Sequence, residues 1–157
     1  MNLKHCLFAS STFFLAACTS HIQEPVDTSH FNDLLPGSWK CGTIQNDYKE
    51  DTVLVYSKDG QVSVDTSMYM KMEGTDNVLS FDISGTARWE LKNDNLYEIY
   101  EEISFKPTNE YTASIKGFMS SFMPKKGQRG ESKVLSLDNN KLVLESGDNE
   151  KLTCYRK

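Results

Sequence analysis

The stretch Gln61–Glu73 reads QVSVDTSMYMKME and decides the fold class, because apolar and polar side chains alternate over its whole length. A period of two is typical of a β-strand with one face against a core and the other face in water. The stretch therefore predicts a long strand of an antiparallel sheet. The face that we predict to point inward carries Val62, Val64, Thr66, Met68, Met70 and Met72.

The same alternation recurs on both sides of this strand, and short turn sequences such as Asp59-Gly60 and Asn93-Asp94-Asn95 separate the segments. Each segment has one apolar face and one polar face. About eight to ten strands of this kind, joined by short turns, predict a closed barrel or a sandwich. The further segments lie at 52–57, 79–84, 87–92, 97–105, 135–137, 142–144 and 152–154.

One segment departs from the period of two. Its apolar side chains are spaced as on one face of a helix, and Pro124 ends the pattern. We therefore predict one short helical insert near 112–123. A basic loop, Lys125–Arg129, follows it, which is either a plain solvated loop or a contact with anionic lipid headgroups. The residues that set the helical spacing are Ile115, Phe118, Met119, Phe122 and Met123.

The first part of the chain has the character of an export signal. Residues 1–17 combine a short basic start with an uncharged run that is too short to span a bilayer permanently. The sequence Leu15-Ala16-Ala17-Cys18 resembles the lipobox of bacterial lipoprotein precursors, and this resemblance implies cleavage before Cys18 and acylation of its thiol with fatty acids such as palmitate. The alternative is an ordinary signal peptide with an incidental cysteine. Thr19 resembles the outer-membrane sorting pattern, if the source has two membranes.

These features predict three parts of the chain. Residues 1–17 form a cleaved signal peptide, residues 18–33 a lipidated N-terminus and tether, and residues 34–157 a single domain. We expect a monomer in the cell envelope, anchored to the membrane by lipid and facing the periplasm in a two-membrane cell.

The charge and histidine content exclude several classes of function. Loss of residues 1–17 removes Lys4 and no acidic residue, so the net charge moves from −5 to −6. An acidic chain argues against nucleic acid as a partner. The predicted domain contains no histidine, which excludes a histidine-based nucleophile system and an imidazole zinc site. We therefore expect no enzyme, no resident metal and no cofactor.

Two cysteines remain in the predicted domain, Cys41 and Cys154. Exported chains fold in an oxidising compartment, so a disulfide between them is expected. Such a bridge closes a very long loop and would stabilise the fold by up to about 4–5 kcal/mol on chain-entropy reasoning. The alternative is two buried free thiols.

A set of ordered motifs resembles the lipocalins. Gly37-Ser38-Trp39 resembles the Gly-x-Trp that opens the first strand of lipocalins and of lipocalin-like bacterial domains. The segments 53–64, 84–91 and 134–144 are similar to later strands of that family, and Tyr155-Arg156 resembles the basic end of its last strand. The resemblance covers residues 34–157 and implies an all-β, antiparallel up-and-down barrel.

The resemblance also implies structural roles for Gly37, Trp39 and Arg156, because the matching arginine of lipocalins packs on the matching tryptophan. Trp39 and Cys41 share one face of the first predicted strand, and Cys154 and Arg156 share one face of the last. The first and last strands are neighbours in a closed barrel. One register would then join Cys41 to Cys154 and lay Arg156 over Trp39.

Candidate ligand-binding residues lie on the predicted inner surface. Methionine is flexible and polarizable, so Met68, Met70 and Met72 are suited to line an adaptable apolar cavity, although ordinary core filling explains them as well. Under the cavity hypothesis Phe118, Met119 and Phe122 form a lid. A further hypothesis is that the methionines, with Met119 and Met123, bind Cu(I).

Two residues of the next strand complete the candidate site. Tyr97 and Glu101 share a predicted face with Ile99, Ile103 and Phe105. An inward carboxylate is costly unless it is paired, so Glu101 would orient a polar group of the ligand or meet a basic residue. A β-bulge that turns Glu101 outward is the alternative.

The sequence thus favours a lipocalin-like, membrane-anchored lipoprotein that binds a small hydrophobic or amphipathic molecule. A second hypothesis is a protein-binding module such as the small exported lipoproteins that inhibit lysozyme. Their Ser-Gly-x-x-Tyr loop is partly matched by Ser84-Gly85, with Arg88 and Trp89 following.

Overall fold

The computed structural model describes residues 30–157. The predicted signal peptide 1–17, the lipidation of Cys18 and the tether as far as residue 29 lie outside the described residues. Eight strands and three short helices make up the described chain. The strands are β1 (Gly37–Gln45), β2 (Tyr48–Tyr56), β3 (Gln61–Lys71), β4 (Val78–Lys92), β5 (Asn95–Pro107), β6 (Arg129–Leu137), β7 (Lys141–Ser146) and β8 (Lys151–Arg156), and the helices are α1 (Phe31–Leu34), α2 (Glu110–Ser114) and α3 (Lys116–Ser120).

The strands form a closed barrel in which each is antiparallel to its neighbours in the chain, and β8 returns to pair with β1. The alternation of Gln61–Glu73 has the predicted consequence, because Val62 of β3 is buried while Asp65 and Ser67 are exposed. The prediction of an all-β, up-and-down antiparallel barrel is confirmed, with eight strands. This is the arrangement of lipocalin-like barrels.

The barrel closes through a short pairing of β1 with β8. Trp39 lies opposite Arg156, and Cys41 lies opposite Cys154. Cys41 and Cys154 form a disulfide across a separation of 113 residues. The guanidinium carbon of Arg156 lies 4.1 Å from the ring centroid of Trp39, which is a cation–π contact. The register predicted for these four residues is therefore confirmed.

Arg156 also ties the end of the chain to its beginning. Its Nη1 donates to the carbonyl oxygen of Pro36 at 3.0 Å, and its Nη2 donates to that of Leu34 at 2.5 Å. Its Nε donates to the carbonyl oxygen of Asn139 in the β6–β7 turn. Gly37 has a φ of +143°, and a side chain there would occupy the place of the Arg156 guanidinium. Glycine is thus required where the arginine reaches the backbone.

One end of the barrel is filled by side chains, and we call it the packed half. The helix α1 covers this end, since Phe31 and Leu35 are buried in the core. The indole Nε1 of the fully buried Trp39 donates to the carbonyl oxygen of Leu35 at 2.8 Å, so the most polar atom of the largest core side chain is satisfied. The other buried inner residues of the packed half include Val62, Ala87, Leu91, Leu96, Val134, Leu137, Leu142 and Cys154.

A β-bulge in β5 corrects the predicted face of that strand. The pairing with β4 shifts so that Ala87 lies opposite Tyr100 while Thr86 lies opposite Glu102, which leaves Glu101 as the extra residue. The bulge therefore exchanges the inward-facing and outward-facing positions: even-numbered residues of β5 point inward before it and odd-numbered residues point inward after it. Leu96, Glu98 and Tyr100 share the inner face with Ile103 and Phe105, whereas Tyr97, Ile99 and Glu101 do not.

The predicted helical insert is present between β5 and β6, as two short helices rather than one. The helices α2 and α3 meet at Ile115, which ends the first and begins the second. Asn109 caps α2, because its side chain accepts a hydrogen bond from the backbone N–H of Thr112 at 2.8 Å. The insert is fixed to β4, since the backbone N–H of Ser80 donates to Oγ1 of the buried Thr112. Among residues 30–157, none of the helices is long and apolar enough to cross a membrane.

The forked contacts of Arg156 generate a prediction about stability. Arg156→Lys keeps the positive charge but cannot reach three separate carbonyl groups. We expect it to lower the free energy of unfolding by about 2–4 kcal/mol, because the partly buried carbonyl groups of Leu34 and Pro36 lose charged donors. Urea denaturation measures the change. Arg129→Lys is the matched control, since Arg129 is exposed and stacks on Tyr97 at 3.8 Å, and we expect a loss below about 1 kcal/mol. Equal losses in the two variants would contradict the role of Arg156.

Candidate functional site

The inner side chains of the barrel keep accessible surface away from the packed end. We call this region the open half and define it by inner residues that are half-buried. These residues are Val64, Thr66, Met68, Met70, Ile83, Ile103 and Phe105. Two inner residues nearby, Leu79 and Phe81, are buried, and Phe81 packs against Phe105 with ring centroids 4.9 Å apart. The open half thus offers an accessible and mainly apolar inner wall.

A carboxyl group lies at the boundary between the packed half and the open half. Glu98 on β5 points inward opposite Trp89 of β4 and Gly130 of β6. Its carboxyl is almost completely enclosed by protein, while part of the residue keeps accessible surface. The hydroxyl of the buried Tyr56 donates to its Oε1 at 2.8 Å. Glu98 is therefore a buried acid with a neutral hydrogen-bond partner.

Aromatic side chains surround this acid. The rings of Tyr56 and Trp89 meet edge to face, with centroids 6.0 Å apart. The indole Nε1 of Trp89 donates to the carbonyl oxygen of Ser57 at 3.0 Å, which fixes the ring. Tyr100 follows Glu98 on the inner face of β5, and both Trp89 and Tyr100 keep accessible surface. A Cβ atom on Gly130 would lie 2.8 Å from the Tyr100 hydroxyl, so glycine leaves room for that ring.

The surroundings of Glu98 alter its acidity. Burial raises the pKa of Glu98 above its ordinary value, and the hydrogen bond from Tyr56 opposes part of this rise. Burial likewise raises the pKa of Tyr56, and the nearby charge of Glu98 adds to the effect. Tyr100 shows the same direction for the same two reasons. Both phenols are therefore neutral in the range where Glu98 titrates.

A second polar row crosses the inner face of β2 and β3. Tyr48 donates to Oε2 of Glu50 at 2.7 Å, and Thr52 donates to its Oε1 at 3.0 Å. The hydroxyls of Thr52 and Thr66 lie 2.9 Å apart. Burial is the main cause that raises the pKa of Tyr48, followed by its hydrogen bond to Glu50. Both oxygens of Glu50 thus have partners within the protein, whereas only Oε1 of Glu98 has one.

The predicted methionine face is only partly in the open half. Met68 lies opposite Glu50 and Phe81, and Met70 lies opposite Tyr48 and Leu79, so both point inward. Met72 follows the end of β3, and its backbone N–H donates to the carbonyl oxygen of Asn77 in the β3–β4 turn. Met68 and Met70 therefore belong to the inner wall, while Met72 lies at its rim.

Tyr97 and Glu101 do not contribute to the interior, which corrects their predicted place in the site. The bulge puts Glu101 on the outer face, where it forms an ion pair with Arg88 at 3.1 Å. The ring of Tyr97 lies under the guanidinium of the exposed Arg129. The inward acid of β5 is Glu98, three residues earlier than expected.

The predicted lid residues lie in the insert, but the two phenylalanines do not cover the interior. Phe118 and Phe122 are each 66% exposed and pack on one another with centroids 4.9 Å apart. Met119 is half-buried. A cavity of about 340 Å³ lies between the insert and the inner residues Ile103 and Phe105. Its other walls are Lys116, Ser120, Met123, Pro124 and Lys125.

The outer surface also carries a groove, of a different character. It measures about 660 Å³ and runs over the outer face of β2–β5. Its walls carry charged side chains such as Asp51, Asp65, Asp82 and Lys106. Such a polar groove does not suit a hydrophobic ligand.

The motif that suggested a lysozyme-inhibitor-like surface is not in a loop. Ser84 and Gly85 lie in the middle of β4. A Cβ atom on Gly85 would lie 2.5 Å from the carbonyl oxygen of Glu102, so this glycine permits close pairing of β4 with β5 beside the bulge. The glycine therefore has a structural explanation.

Sequence reasoning missed Glu98, Tyr56, Trp89 and Tyr100 as a group. One signal was present, because apolar residues of β5 fall on both alternating sets before Glu101 and on one set after it. A strand whose apolar residues change from one alternating set to the other indicates a bulge at the point of change. The three-residue spacing from Tyr100 to Ile103 marks its position.

No family model matches this sequence, and no curated protein is significantly similar to it. The solved structures that are similar include the following two. A lipocalin-like protein from Bacteroides uniformis is 17% identical with a TM-score of 0.39, over 78% of this chain and 97% of that protein. An uncharacterized protein from Bacteroides eggerthii is 14% identical with a TM-score of 0.41, over 78% of this chain and 98% of that protein. Likeness at this level carries no information about ligand or activity.

The raised pKa of Glu98 generates a prediction about pH. Between the ordinary value of 4.5 and the raised value, the folded protein binds more protons at this site than the unfolded chain. The stability contributed by Glu98 must therefore decrease as pH rises through that interval. We expect the free energy of unfolding of wild type, relative to Glu98→Gln, to fall as the pH rises above 4.5 and to level off once the Glu98 carboxyl of the folded protein is fully ionised.

Urea denaturation at a series of pH values tests this prediction. Glu101→Gln, which removes a carboxyl from the outer face of the same strand, is the matched control. A relative stability that increases with pH in the Glu98→Gln comparison would show that the carboxyl is stabilised in its charged form, contrary to the prediction.

Proposed function

We propose that the protein binds a small amphipathic molecule inside the open half of its barrel. The observation that carries this proposal is Glu98, a buried acid at the floor of an accessible apolar wall. Ligand sites in proteins commonly combine an apolar wall with a few polar groups that fix orientation. The apolar part of the ligand would contact Ile83, Ile103 and Met68, and its polar end would meet Glu98.

The cavity beside the insert supports an interior site. Its volume of about 340 Å³ is within the range of small-molecule pockets, and Ile103 joins it to the inner face that continues to Tyr100. Lys116 and Lys125 of the insert and of the loop after it are among the residues that line it. The insert between β5 and β6 would therefore serve as the boundary of the site on the solvent side.

The fluorophore N-phenylnaphthylamine, which is uncharged at neutral pH, tests the interior site. We expect it to bind to wild type with an increase in fluorescence. Val64→Phe should weaken its binding about tenfold or more, because the added ring fills space beside the inner wall. Val55→Phe is the matched control, since Val55 is 41% exposed on the outer face of the neighbouring strand and should leave binding unchanged. No binding to wild type, or equal loss in the two variants, would refute an interior site.

We also propose that the protein is a lipoprotein of the cell envelope, anchored through Cys18. The lipobox-like sequence Leu15–Cys18 supports this proposal, and a disulfide is the redox state expected of an exported domain. An anchor of two or three acyl chains holds a protein stably on a membrane.

Metabolic labelling with an alkyne analogue of palmitate tests the anchor. We expect the label on the mature protein and its loss in Cys18→Ser. Cys6→Ser is the matched control, because Cys6 lies in the segment that is predicted to be removed. Label that persists in Cys18→Ser would contradict lipidation at this residue.

A further inference from the structure

The floor of the open half combines a buried carboxyl with the faces and edges of three aromatic rings. Tyr56 satisfies Oε1 of Glu98, and among the described residues no group donates to Oε2. No ion pair among residues 30–157 includes Glu98. Every fully buried side-chain oxygen of the described residues has a hydrogen-bond partner, so Oε2 keeps accessible surface. The carboxyl therefore has one free oxygen and no counterion.

From this geometry we infer that the polar end of the ligand is a cation, an amine or a quaternary ammonium group that pairs with Glu98 between Tyr56, Trp89 and Tyr100. This inference rests on the proposed interior site and specifies its ligand class. Aromatic rings attract cations through their negatively polarised faces, and such rings around an acid are a recurring means of recognising ammonium groups.

The neighbouring strands place aromatic rings beside Glu98, and no basic side chain. Gly130 of β6 lies opposite Glu98 and has no side chain, and the Tyr100 ring occupies the space above it. Trp89 lies opposite on the other side and is held by its bond to Ser57. The phenol and indole rings can contact a bound cation and carry no positive charge of their own. A lysine or arginine at these positions would instead pair with Glu98 and exclude a cationic ligand. The sequence places neither residue there.

The apolar wall determines the rest of the ligand. From Trp89 to Phe81 the inner face of β4 advances about 26 Å, at roughly 3.3 Å per residue. Along that length the inner residues Gly85 and Ile83 keep accessible surface, whereas Ala87, next to Trp89 on this face, is buried. An alkyl tail of about ten carbons fits within this length when its ammonium group contacts Glu98. A medium-chain cationic amphiphile is thus the probe that matches both ends of the site.

Isothermal titration with three decyl compounds, each below its micelle concentration, tests the inference. The compounds are decyltrimethylammonium, decyl maltoside and decyl sulfate, which share a tail and differ in head charge. We expect wild type to bind the ammonium compound about 10- to 100-fold more tightly than the other two. Glu98→Gln, which keeps an acceptor for Tyr56, should remove this preference. Tyr100→Leu, which keeps the carboxyl, should weaken ammonium binding about 2- to 10-fold.

The matched control is Glu101→Gln, whose lost carboxyl faces outward and whose preference for the ammonium compound should equal that of wild type. Binding of N-phenylnaphthylamine distinguishes failure of the cation inference from failure of the interior site. If the uncharged fluorophore binds and the three decyl compounds bind equally, or decyl sulfate binds best, the cation inference is overturned while the interior site stands. If neither the fluorophore nor any decyl compound binds, the interior site itself is wrong.

Discussion

The contact between the two ends of the domain is the constraint on which the rest of the structure depends. Trp39 and Arg156 are far apart in sequence, yet their stacking fixes the register of the first strand against the last. The disulfide two residues away holds the same register covalently. Closure removes the unpaired edges that an open eight-stranded sheet would expose. It also sets which residues face inward, because register and face are linked in a strand.

The arginine unites three parts of the chain that no single strand pairing brings together. Its guanidinium bonds to the carbonyl groups of Leu34 and Pro36 before β1 and to that of Asn139 between β6 and β7. Only a planar group with several donors can satisfy carbonyls that point from different directions. Packing of the tryptophan ring then places α1 across the end of the core. The packed half is consequently filled and tied together, whereas the inner residues of the other half keep accessible surface.

Much of the fold follows from the sequence because its causes are local. Alternation predicts the strands, turn residues predict their ends, and Cys41 and Cys154 could be placed together once a barrel was assumed. The inner site could not be predicted in the same way. The bulge at Glu101 depends on how β4 and β5 pair. Its one extra residue reverses which residues of β5 before Glu101 point inward and which point outward. The acid assigned to the interior was therefore Glu101, when the enclosed acid is Glu98. The placement of Phe118 and Phe122 on the exposed side of the insert likewise depends on tertiary contacts.

The position of α1 has a consequence for the direction in which the barrel opens. The helix sits on the packed end beside the last strand, so both ends of the described chain emerge on that side. The insert and the accessible wall lie at the opposite pole. Under the proposed anchoring at Cys18, the chain from the anchor would enter the barrel at its packed end. The mouth would then open at the pole away from that entry, where an incoming molecule can approach without passing the attachment point.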